Sequence, residues 1–237
     1  MTIPRVRATT ACEMSLSMRL THVLAASCLG FLLSGCAREV PPAMTPSASL
    51  LAPPAGQAAV VFVRPLSPCD TSEYSIVVDD HGRFVGNVAP GTQIVVPITP
   101  GTHVFYSWSN IDSRSEREPS FNPVMATRVD ARGEGPQYVA LIVQMQDSTV
   151  TRCNAYSHVS MHRVRPGQRD DTLWSDLQEW LRSTQPLVAN QPAGQATLNA
   201  NPALLQTHLE LGHAKLRAMD DFHARKARRD AERAGAK

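Results

Sequence analysis

The stretch "YSIVVDDHGRFVGNVAPGTQIVVPITPGTHVFYSW", residues 74–108, alternates short β-branched and aromatic runs with turn chemistry. "YSIVVD" (74–79), "RFVGNV" (83–88), "TQIVVPI" (92–98) and "THVFYSW" (102–108) have the length of strands. None sustains the 3.6-residue period of a helix. Between the first two runs, "DDHG" (79–82) can reverse the chain, with Gly82 supplying a positive φ. "TPGT" (99–102) puts Pro100 and Gly101 at the central positions of a type II turn, and "APGT" (89–92) repeats the signal.

Outward from this stretch the texture continues. "AAVVFVR" (58–64) precedes it; "VMATRVD" (124–130), "QYVALIVQMQ" (137–146) and "VTRCNAYSHVSMHRV" (150–164) follow. Seven or eight strands with regular turns predict a mainly β protein, a small antiparallel β-sandwich over residues 57–165. The opening "AAVVFVRP", the hairpin and "IVVPITPGTHVFYSW", and the closing "QYVALIVQ" resemble PEGA-type and related lipoprotein domains of unknown function. The resemblance covers about residues 57–146. It implies a small sandwich in an envelope setting and supplies no catalytic residue.

The N-terminus carries an address. "VLAASCLGFLL" (23–33) is an apolar and small-residue run behind Arg19, the pattern of a secretory signal peptide. It falls well short of the ~20 residues of a spanning helix. It ends in Leu33-Ser34-Gly35-Cys36, which resembles the lipobox of bacterial lipoproteins. That resemblance implies diacylglycerol on the Cys36 thiol, cleavage after residue 35, and acylation of the new amino group. Each buried methylene adds ~0.8 kcal/mol of membrane affinity, so two or three chains anchor durably. Ala37 stands where retention in the inner membrane of enteric bacteria calls for Asp, which points to the outer membrane, facing the periplasm. Met14 and Met18 are alternative starts that would shorten the signal.

Three of the 23 basic residues and one of the 21 acidic ones leave with residues 1–35, so 20 of each remain. A chain of zero formal net charge has no global affinity for nucleic acid. Cys12 and Cys28 leave as well, and Cys36 takes lipid. Cys69 and Cys153 form an even pair in an oxidising compartment, which predicts a disulfide. Closing that long a loop is worth ~4.5 kcal/mol in the chain-entropy picture, less any strain. Residues 36–56 are rich in Pro and Ala without periodicity and predict an extended tether.

The C-terminal segment, residues 166–237, is a helical extension. "DDTLWSDLQEWLRS" (170–183) has Leu173, Trp174, Leu177, Trp180 and Leu181 at helical spacing. A Pro-, Asn- and Gly-rich connector runs to Asn201, and Pro202 then opens a second helix with the stripe Leu205, Leu209, Leu216 and Met219, broken by Gly212. Docking of its first half and projection of its charged second half are expected.

Candidate site residues are few. Trp174 and Trp180 offer faces on which a sugar could stack, against the commoner role of packing. Arg225, Lys226, Arg228 and Arg229 form a basic run suited to anionic lipid or glycan, against the commoner role of a solvated helix end. Cys153, His158 and His162 have metal-like spacing, but on a strand the two histidines stand about 13 Å apart, too far for one ion. No nucleophile elbow, phosphate loop or His-Glu-x-x-His is present. The expectation is therefore a membrane-anchored, non-catalytic binding or structural lipoprotein without cofactor or metal, with another envelope protein or a glycan as partner. A metal-binding or hydrolytic protein using Cys153, His158 and His162 is the alternative.

Overall fold

Strands alternate inward and outward side chains, and the two sheets they form meet over their shared apolar faces. The computed structural model describes residues 40–49, 52–67, 74–110, 124–131, 135–144, 158–165 and 172–235. In chain order the elements are β1 (Met44–Pro46), β2 (Ala58–Arg64), β3 (Tyr74–Asp79), β4 (Phe84–Val88), β5 (Thr92–Ile98), β6 (Thr102–Asn110), β7 (Met125–Asp130), β8 (Gln137–Gln144) and β9 (His158–Val164). Helix α1 (Thr172–Ser183), β10 (Gln185–Ala189), α2 (Gln191–Asn199) and α3 (Pro202–Gly235) complete them. One sheet has the order β1-β10-β5-β2-β8-β9, the other β4-β3-β6-β7.

Val60 and Phe62 of β2, Ile94 of β5 and Val139 and Leu141 of β8 fill the interior from one side; Val77, Phe105 and Val129 fill it from the other. Phe62 and Phe105 meet edge to face across the sheets at 5.1 Å. Such a pair adds about 0.5–1.5 kcal/mol beyond the area it buries. At the β3–β4 hairpin Gly82 has φ +74° as the turn requires, and the Asp79 carboxylate accepts the His81 and Arg83 N–H groups.

The sandwich and the C-terminal helices stand as the sequence predicts, with three differences. Two strand pairs are parallel, β2 with β8 and β10 with β5, so the larger sheet is mixed rather than antiparallel. The connector before Asn201 is a strand and a helix. Its "QPLVA" run buries Leu187 and completes the edge of β5, while Asn190 caps α2 by accepting the Ala193 N–H. The tether expected over 36–56 is in part structured. β1 pairs antiparallel with β10, and Met44 is buried with Val40 and Ala43 packed beside it.

These additions protect β4, the edge strand of the smaller sheet, whose open backbone groups would otherwise invite pairing with another chain. From α2, Gln195 accepts the Phe84 N–H at 2.8 Å and Gln191 donates to the Val85 carbonyl at 3.2 Å. On the N-terminal side Asn87 donates to the Pro42 carbonyl at 2.8 Å.

Candidate functional site

Two outer faces of the sandwich carry helices. α1 lies on the larger sheet, where Leu177 is fully buried against Val63, Ala140 and Val164. Trp174 and Trp180 pack on the same cluster, Trp174 meeting the Tyr138 ring at 5.9 Å. Both tryptophans are half-buried and serve to dock α1. The helix ends where Gln93 of β5, pointing outward, donates its side-chain amide to the carbonyls of Leu181 and Thr184. Two of the carbonyls left open at a helix C-terminus are thereby satisfied.

Because α1 stops there, the sheet beyond it is incompletely covered. A cleft of about 260 Å³ opens between the end of α1, strands β2, β5 and β8, and the segment before β2. Pro53, Val61, Val95, Pro136 and Leu181 give it apolar walls, and Gln57 and Tyr138 are polar members of the lining. Burial raises the Tyr138 phenol above its ordinary pKa, so the hydroxyl stays protonated and can donate a hydrogen bond. Its size is just under that of drug-sized ligand pockets and suits one small apolar group.

α3 lies across the smaller sheet. Leu205 and Leu209 approach the β3–β4 turn at Gly82, Gly212 abuts Tyr106 of β6, and His208 stacks on Trp108 at 4.5 Å. The His208 Nδ1–H donates to the Leu204 carbonyl at 2.8 Å, and burial lowers its pKa from the ordinary 6.5. Further along, Arg128 of β7 grips Asp220 with two parallel hydrogen bonds of 2.9 and 3.0 Å. That contact holds the Asp220 carboxyl below its usual range. Beyond it, residues 221–235 are exposed throughout, including Arg225, Lys226, Arg228 and Arg229. The first half of the helix therefore docks and the second half projects.

The structure brings the other expected residues together only in part. Cys36, Cys69 and Cys153 lie outside the described residues, as does the side chain of His158. His158 and His162 do stand on one strand, β9, opposite Gln144 and Ala140. The Ser160 hydroxyl lies 2.6 Å from His162 Nε2 and donates to the Ile142 carbonyl at 3.1 Å, an arrangement in which it accepts the imidazole N–H. Among the described residues no three His, Cys, Asp or Glu side chains converge as metal ligands.

Two functional positions were missed in the sequence. Arg64, the last residue of β2, is fully buried and crosses the sandwich to donate to Ser75 Oγ and the Val88 carbonyl. Its place in the inward set with Val60 and Phe62 was the available signal. Gln93 has no such signal, since its role depends on where α1 ends. No protein-family model matches the chain, and no curated protein matches it.

Proposed function

We propose that this protein is a lipid-anchored envelope lipoprotein with a non-catalytic binding or structural role. The observation that carries the reading is the apolar run closing on Leu33-Ser34-Gly35-Cys36. Val40, four positions after Cys36 in the sequence, already packs on the core of the sandwich. On this reading the apolar cleft beside Leu181 receives an apolar group of an envelope partner. Among the described residues no helix is long and apolar enough to cross a membrane.

The test is the mass of the mature N-terminal peptide. A chain beginning at Cys36 and carrying diacylglycerol supports the proposal; an unmodified Cys36 within a longer or soluble chain refutes it.

A further inference from the structure

Residues 221–235 of α3 are exposed throughout, yet the outer side of the helix is ordered by residue type. Of the large apolar side chains that stand exposed, three belong to this helix: Leu204 (45 %), Leu211 (49 %) and Phe222 (51 %). At 100° per residue these three and Ala218 fall within about 40° of one line. The docked residues lie to one side of that line, buried His208 about 40° from it and Leu205, Leu209, Gly212 and Leu216 about 80–140° from it. Lys215, Arg225, Lys226, Arg229 and Arg233 lie within about 60° of the same line, whereas the helix's acidic residues, Glu210, Asp220, Asp221, Asp230 and Glu232, all lie about 80° or more away. Arg217 and Arg228 also point elsewhere.

We propose that this face of α3 lies on the anionic phospholipid surface of the membrane that holds the anchor. Apolar side chains in the first two-thirds of this line and basic ones continuing it to the C-terminus offer a headgroup layer apolar contact and charge attraction together. Each basic residue near such a surface adds to the attraction. The apolar part spans the docked half of the helix and the basic part continues about 21 Å over residues 222–235. The proposal rests on the lipid-anchor reading for which membrane is involved, though not for the chemistry of the face.

The experiment is amide hydrogen exchange over residues 218–235 of the full chain in vesicles of phosphatidylcholine, with and without phosphatidylglycerol. Exchange should slow at least about tenfold when phosphatidylglycerol is present. The variant Arg225→Glu/Arg229→Glu/Arg233→Glu should lose that difference, and Arg217→Glu/Arg228→Glu, off the face, should keep it. Equal exchange in both vesicles overturns the proposal, as does an equal loss in the two variants. Protection that rises with protein density in phosphatidylcholine alone assigns the face to a second copy and also overturns it. The two readings fail separately. An unmodified Cys36 leaves the phosphatidylglycerol dependence intact, and a lipidated chain with no such dependence leaves the anchor intact.

Discussion

Gly212 lies against the ring of Tyr106 so closely that a Cβ on it would stand 2.6 Å from Cδ1 and 2.8 Å from Cγ. The residue that interrupts the apolar stripe of α3 is therefore a point of close approach to the sheet. On each side of it Leu209 and Leu216 pack against the core, and the ring of His213 meets Tyr106 edge to face at 5.3 Å.

Gly212→Ala separates two opposed effects. In an isolated helix the change stabilises by about 1 kcal/mol. Here the added methyl must displace an aromatic ring held between strand and helix, at a cost of about 1–3 kcal/mol. The variant should melt below the parent and exchange amides faster over residues 202–220. A higher melting temperature would show that α3 is not seated on Tyr106.

The strands were legible because residues 58–64, 74–108, 124–130 and 137–146 hold short β-branched and aromatic runs closed by turn signals. α1 and α3 were legible for the matching reason, their leucines and tryptophans recurring at helical spacing. β10 was not: a five-residue strand holding Pro186 has too few positions to show a period, and its neighbours β5 and β1 are remote in sequence. The Pro-rich composition of residues 36–56 likewise hid Val40, Ala43 and Met44, three apolar residues whose partners come from elsewhere in the chain. Parallel pairing of β2 with β8 has no local signature at all. The cleft was invisible because it exists only where α1 ends over the sheet.

Acid should loosen α3 in two stages. His208 is neutral when docked because burial lowers its pKa, so an undocked His208 takes up a proton more readily. Its contribution is intact above pH of about 6.5 and declines as pH falls below that value. Asp220 is depressed by Arg128, so its contribution persists above about 3.8 and is lost as pH falls through its lower folded value. Melting temperature measured from pH 8 downward should be level and then drop below about 6.5. His208→Phe keeps a ring on Trp108 and should remove the first drop; an unchanged profile would assign that drop to another group.

The order of the larger sheet bears on Cys69 and Cys153. β8 separates β2 from β9, and β2 runs parallel to β8 while β9 runs against it. The end of β2, at Arg64, and the start of β9, at His158, therefore lie toward the same end of the sheet, two strand spacings across and three residues along, or about 14 Å apart. Each cysteine is five positions from its strand in the sequence, a reach of up to about 17 Å on each side. Thiol labelling of the denatured, unreduced protein should find neither cysteine free. Labelling of either refutes the bridge.

Membrane fractionation of Cys36→Ser tests the anchor itself. Removing the thiol removes the lipid, while the basic face of α3 gives only an attachment that salt screens. The parent chain should stay in the membrane pellet after a high-salt wash. The variant should leave the pellet in that wash, with a melting temperature equal to the parent's. A Cys36→Ser chain that remains with the membrane through the wash would contradict the anchor.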